Sequence, residues 1–220
     1  MKLILFISLI LLISSGIELF GIDLSSWDDV VYWDVLKTEV KFVILRAGYG
    51  TGTTDTVYED YYAKCKQYNI PVGAYWYSYA TTVDGAEEEA RAFLQRLKGK
   101  KFEYPVYYDI EEEKIYNTGK NNISNMLERF CTILEENGYY CGIYGNKYSL
   151  TNFYTKSVLN RYDIWLAHYT KNGAPTDYVG HRIWQYTDSG TLKGKPGDCD
   201  LNWSYENYPA LIKAKHFNGY

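Results

Sequence analysis

The chain reads as α/β, a single irregular β/α barrel of TIM-like form, with βα units in the first two-thirds and mostly strands in the last third. Three observations predict this. Strand-like runs recur near residues 21, 42, 72, 105 and 140, about 20 to 35 residues apart, the spacing that βα units on a parallel sheet need. The stretches between them carry apolar residues at helical spacing and stop on glycine or asparagine. Beyond Thr155 strand-like runs continue, and no long helix fits between them.

Gly21-Ile22-Asp23-Leu24-Ser25-Ser26 is a short strand with Asp23 and Ser25 on one face and Ile22 and Leu24 on the other. Trp27 to Leu36 reads as a loop and short helix, and Lys41 to Gly48 as a buried strand that ends in a turn containing Gly48, Gly50 and Gly52. No Lys-Ser or Lys-Thr pair follows those glycines, so they mark a turn and not a phosphate loop. Tyr58, Tyr61, Tyr62, Cys65 and Tyr68 recur at helical spacing, and Pro71 to Ala80 is a strand with Gly73, Tyr75, Tyr77 and Tyr79 on one face. Asp84 with Glu87 predicts a capped helix start, Ala86, Ala90, Phe93, Leu94 and Leu97 its buried stripe, and Gly99 its stop.

Tyr104-Pro105-Val106-Tyr107-Tyr108-Asp109-Ile110-Glu111 is an apolar strand that sets two carboxylates on one face, and Glu112 and Glu113 extend it into a solvated acidic loop. Ionised groups on such a strand are costly unless paired, hydrated or used, and neighbouring carboxylates raise each other's pKa. Asn121 or Asn122 starts the next helix, buried through Ile123, Met126, Leu127, Phe130 and Leu134 and stopped at Gly138; Tyr140 to Tyr144 is again a strand. Asp163 to Tyr169 and Arg182 to Thr187 are strand-like, with Gly197 to Asn202 a candidate for another.

The 220 residues contain no internal repeat and no low-complexity linker, which predicts one domain over 17–220. Residues 1–16 read as a secretory signal peptide: Lys2, the apolar run Leu3 to Ile13, then small residues with cleavage after Ser15 or Gly16. Its removal takes the formal charge from -4 to -5. A mildly acidic chain is a poor partner for nucleic acid or anionic membranes. No later stretch is apolar enough to act as a membrane anchor.

Cys65, Cys131, Cys141 and Cys199 in an exported chain permit two disulfides in three connectivities; Cys131 near a helix end and Cys141 early in the next strand sit level enough to pair. Asn122 and Asn202 head glycosylation sequons.

In a barrel of this kind the carboxyl ends of the strands gather Asp23, Arg46, Tyr77, Asp109, Glu111, Trp165 and Gln185 near one rim, with Asp200 from the last segment beside the first strand. Glycoside hydrolysis needs such parts: a protonated acid for the leaving oxygen, an ionised carboxylate, and aromatic surfaces for sugar rings, of which 25 Tyr, 6 Trp and 8 Phe are a rich source. Each residue also has an ordinary reading, Asp23 as a turn cap, Asp200 in an Asx-turn, Trp165 and Trp184 as core. A Gly-x-Ser-x-Gly elbow is missing, and His168, His181 and His216 are too scattered for a zinc site.

At this point the residues resemble the glycoside hydrolase family 25 enzymes, or Chalaropsis-type lysozymes, which are muramidases. The resemblance rests on Gly21 to Ser25, Phe42 to Gly48, Pro71 to Tyr79, Tyr108-Asp109-Ile110-Glu111, Tyr144-Gly145-Asn146, Ile164 to Tyr169, Trp184 to Thr187 and Asp200-Leu201-Asn202 in succession. It implies an irregular β/α barrel that hydrolyses the β-1,4 bond between N-acetylmuramic acid and N-acetylglucosamine in bacterial peptidoglycan, with neither metal nor organic cofactor. On it Glu111 is the general acid, and Asp23, Asp109 and Asp200 are the surrounding acids. Asp109 would orient the substrate acetamido group in a retaining, substrate-assisted mechanism.

Tyr75, Tyr77, Trp165, Tyr169 and Trp184 would line the sugar cleft and Arg46 would anchor it. A sequon beside a site acid implies that Asn202 is unmodified or turned away. The expected protein is a monomer, secreted or held in the lumen of a secretory, phagocytic or lysosomal vesicle, acting in defence or digestion. A carbohydrate-binding protein without turnover and a glycosidase for chitin-like polymers are the alternatives.

Overall fold

The computed structural model describes residues 16–28, 30–170, 173 and 180–220; residues 1–15 of the stretch expected to be a signal peptide lie outside them. In chain order the elements are β1 (Leu19–Leu24), α1 (Trp33–Glu39), β2 (Phe42–Tyr49), β3 (Thr53–Thr54), α2 (Tyr58–Gln67), β4 (Val72–Tyr77), α3 (Val83–Leu97), β5 (Val106–Asp109), α4 (Glu113–Tyr116) and α5 (Lys120–Glu136). They continue with β6 (Cys141–Asn146), α6 (Lys147–Phe153), α7 (Lys156–Arg161), β7 (Asp163–Ala167), β8 (His181–Gly190), β9 (Cys199–Ser204) and α8 (Tyr208–Lys215). Among the described residues no helix is long and apolar enough to cross a membrane.

The expected TIM-like β/α barrel is corrected by the strand pairing. β1, β2, β4, β5, β6, β7 and β8 pair in parallel, but β9 closes the barrel between β8 and β1 and runs antiparallel to both. The result is a closed, mostly parallel barrel of eight strands with helices outside, and β3 adds a short antiparallel flap on β2. A parallel return needs a crossover of a dozen or more residues, whereas the eight residues between β8 and β9 suffice for an antiparallel one.

Two apolar layers follow from alternation along the strands. On β5, Val106 and Tyr108 face outward, where Tyr108 stacks on Phe130 of α5 at a centroid distance of 3.7 Å. Tyr107 faces the barrel interior with Phe42, Ile44, Tyr104, Tyr144, Trp165 and Ile183. Tyr208 and Ile212 of α8 join that interior cluster, and the Tyr208 hydroxyl donates to Asp163 at the start of β7, so α8 seals the amino end of the barrel. The open end is the one at which the parallel strands finish.

Two helix starts also differ from expectation. Thr82, the last extended residue before α3, accepts the Gly85 N–H at 3.1 Å, which moves the cap ahead of Asp84; Glu87 instead pairs with Arg91 and Arg129. α5 begins at Lys120 after Gly119, whose φ of 90° turns the chain, and the Asn122 amide donates to Thr81 and Thr118. The expected disulfide is not formed: the buried Cys131 and Cys141 sulfurs are 2.7 Å apart, beyond a covalent bond of about 2.05 Å.

Candidate active site

The open end holds a cavity of about 340 Å³ lined by Asp23, Arg46, Tyr75, Tyr77, Asp109, Glu111, Trp165, Gln185 and Asp200, among others. Each arrives there for a backbone reason. Asp23 lies near the end of β1, Tyr75 and Tyr77 on β4, Asp109 at the last position of β5, and Glu111 two residues beyond it. Because β9 runs the opposite way, its beginning and not its end reaches this rim, and Asp200 stands directly opposite Asp23 in the ladder.

A polar network fixes Asp23. Its Oδ2 accepts from Asn202 Nδ2 at 2.7 Å and from Gln185 Nε2 at 3.0 Å. Trp165 Nε1 donates to Asn202 Oδ1 at 2.7 Å, and the hydroxyls of Tyr144 and Tyr169 donate to Gln185 Oε1 at 2.8 and 2.9 Å. Asn202 is thus buried with its amide nitrogen engaged, although it heads a sequon. Asp109 is also buried, and its Oδ1 has no hydrogen-bond partner among the described residues.

Crowding and burial set the protonation of the four acids. Burial pushes Glu111 up to about 7, with the charges of Asp200 and Glu112 adding to it. Burial likewise raises Asp200 to about 6, where a hydrogen bond with Asp23 and the charge of Lys195 oppose it and Asp28 and Asp188 reinforce it. Asp23 and Asp109 lie well above the usual carboxylate range, chiefly through burial; Asp200 adds to the first, and Glu111 and Asp23 to the second.

Among the expected cleft residues, Arg46 lies in the wall with its guanidinium on Asp55 at 2.6 Å and Ser26 at 2.8 Å. Tyr169 lines an adjoining cavity. Trp184 is not brought to the cavity: it is buried on the face of β8 opposite Gln185, and its Nε1 donates to the His168 carbonyl at 2.8 Å. Glu112 is less solvated than expected, because it accepts the Tyr77 hydroxyl at 2.9 Å. Sequence reasoning missed Asp28, Asp188 and Asp198 in the lining and Asp55 behind Arg46. The Asp-rich turns were visible signals, but pairings across folded loops were not.

Two further depressions adjoin the central one. Ser26, Trp27, Arg46, Tyr49, Tyr77 and Tyr79 line one of about 470 Å³, and Asn146, Lys147, Tyr148, His168 and Tyr169 are among those lining another of about 430 Å³. They share Trp27, Arg46 and Tyr77, and Glu111 and Tyr144, with the centre, so the three make one groove. Trp27 is 83% exposed at one end and Tyr148 68% exposed at the other, ready to stack on flat rings.

A barrel whose open end carries clustered acids of raised pKa under an aromatic groove has the form of a glycoside hydrolase. The chain belongs to the glycosyl hydrolases family 25, whose sequence model matches residues 22–195. It is 28% identical over 188 residues to the autolytic lysozyme of Clostridium acetobutylicum, a match that spans 83% of this chain and 54% of that protein. It is 27% identical over 199 residues to the Escherichia coli K12 protein YegX, spanning 86% of this chain and 71% of YegX. Its fold resembles the modular autolysin LytC of Streptococcus pneumoniae, solved with a synthetic peptidoglycan ligand: TM-score 0.76, 25% identity, 86% of this chain and 47% of that one.

Proposed function

We propose that the chain is an exported lysozyme that hydrolyses the β-1,4 bond between N-acetylmuramic acid and N-acetylglucosamine in bacterial peptidoglycan, with Glu111 as general acid. The observation that carries this reading is a Glu111 carboxyl held up to about 7 at the centre of a groove with aromatic rings at both ends. A carboxylic acid with that pKa still holds its proton where ordinary carboxylates have lost theirs.

In this reading the Glu111 proton passes to the glycosidic oxygen as its bond to the anomeric carbon breaks. Asp109, with its unpartnered Oδ1, takes the hydrogen bond of the acetamido N–H, and the acetamido carbonyl oxygen closes on the anomeric carbon. Water then opens that ring, giving its proton to the Glu111 carboxylate and restoring the acid. Asp23 and Asp200 supply negative charge to the oxocarbenium-like transition state. Tyr75, Tyr77, Trp165 and Tyr169 support the sugars, and the Arg46–Asp55 pair holds the groove wall.

Residues 1–16 act as the signal peptide, which places the mature domain outside the cell or in a secretory, phagocytic or lysosomal lumen. N-terminal sequencing of the secreted protein is expected to begin at Gly16 or Ile17, and a chain beginning at Met1 overturns export by this route.

The reaction is tested by incubating purified protein with peptidoglycan and with chitin and identifying the new reducing ends. Muramic acid at the reducing end is the expected result. N-acetylglucosamine ends from chitin alone would transfer the site to chitin-like polymers, and tight binding with no cleavage of either polymer would make the chain a carbohydrate-binding protein.

A further inference from the structure

Lys195 sits in the loop between β8 and β9 and is only 5% exposed. A buried ammonium is costly unless its three donors are met. Here they are: Nζ lies 3.2 Å from Asp28 Oδ1 and donates to the carbonyls of Asp198 at 2.9 Å and Pro196 at 3.2 Å. The other Asp28 oxygen accepts the Ser25 N–H at 2.8 Å. Ser25, Asp28, Asp198 and Asp200 all line the central cavity, so the lysine ties together two loops that both reach it.

The loop that carries Lys195 is anchored in its own right. The Glu39 carboxylate accepts the N–H groups of Lys193 and Gly194, and the Tyr32 N–H donates to the Gly194 carbonyl at 2.8 Å. Gly194 passes so close to α1 that a Cβ there would meet the Leu36 backbone nitrogen at 2.5 Å. The ammonium is therefore held in place and not merely folded over the surface.

We propose that Lys195 is a positioning residue for the cleft: it fastens the Asp198–Asp200 segment to the Ser25–Asp28 turn and supplies the fixed positive charge against which the Asp23–Asp200 pair is set. The proposal rests on the reading of that pair as part of the working site. The groups that face Asp200 are Asp23 on β1, Asp28 after it, Tyr75 on β4, Glu111 beyond β5, Tyr169 beyond β7, Asp188 on β8, and Lys195 and Cys199 on its own segment. Of these Lys195 is the cation, and it lowers the proton affinity of both Asp200 and Asp28; Arg46, in the same cavity wall, also lowers that of Asp28.

Lys195→Gln keeps hydrogen-bond donors for the loop carbonyls but removes the charge, and Lys195→Arg keeps the charge. For each, kcat/KM on peptidoglycan is measured against pH, melting is recorded, and the Asp200 carboxyl is titrated by carbon NMR. Lys195→Gln is expected to move the Asp200 titration and the acidic limb up by about one pH unit, a roughly tenfold loss of kcat/KM on that limb, with Lys195→Arg restoring both.

Asp28→Asn, which leaves the lysine charge uncompensated, is expected to move the same titration down. A folded Lys195→Gln protein that melts lower but titrates like the parent overturns the proposal, as does an Asp28→Asn titration that does not move. The NMR titration reads the lysine without any turnover, so a failure of the lysozyme reading is told apart from a failure of this one.

Discussion

At Glu111 the account depends on where one proton sits. With Glu111 as the proton donor and Asp200 as the ionised carboxylate, the rate against pH is expected to be bell-shaped, falling above about 7 as Glu111 loses its proton and below about 6 as Asp200 gains one. A plateau extending well above neutrality would contradict this. The same shift has a stability sign. A carboxyl whose folded pKa is raised from 4.5 to about 7 binds more protons folded than unfolded in that window, so it costs stability as pH rises through it. Glu111→Gln should therefore raise the melting temperature at about pH 8, by about 1–3 kcal/mol of stability, and change little at about pH 4; equal effects at both would refute the burial argument. That Asp109 and Glu111 share one face was legible in the sequence, because carboxylates on an apolar strand are costly unless paired, hydrated or used; that Asp200 meets Asp23 was not, because it depends on the direction of β9. Gln185 was legible only as a rim residue. That it joins Tyr144 and Tyr169 to Asp23 depends on three strands meeting, and no local pattern encodes that.

Among the elements, two packed pairs carry testable consequences. α5 and β6 bring Cys131 and Cys141 within 2.7 Å in the outer core. Both thiols are free and buried, as are those of Cys65 and Cys199, so a thiol reagent is expected to label none of the four until the protein unfolds. Thiol counting before and after denaturation checks it, since labelling in the folded protein would contradict this packing. The segment after α8 is held by Asn218, which is fully buried: its amide donates to the Tyr104 carbonyl at 2.8 Å and accepts the Tyr140 N–H at 2.7 Å. Asn218→Ala leaves both backbone groups unpaired and should cost about 3 kcal/mol in urea unfolding, with the slope unchanged; a loss under about 0.5 kcal/mol would show that the seal contributes little. Helix stripes such as Ala86–Ala90–Phe93–Leu97 were readable from period alone. The starts were misplaced because the Thr82 hydroxyl caps α3 two residues ahead of Asp84, and α5 starts after the positive φ of Gly119 with no side-chain cap at all.

At the scale of the whole molecule, function follows from how the barrel closes. An all-parallel barrel would present only strand ends at its open rim, whereas the antiparallel β9 presents its beginning and so sets Asp200 against Asp23. The order of βα units was legible from spacing. The direction of the last strand was not, because alternation along a strand looks the same whichever way it runs. The groove that results joins three depressions, with Glu111 shared between two of them. The most direct test is single-turnover cleavage of purified peptidoglycan by the parent protein and by Glu111→Gln, with binding to the same polymer measured in parallel. The variant is expected to bind still and to lose cleavage by about 10²–10⁴-fold. Cleavage at the parental rate by a folded Glu111→Gln protein would contradict it.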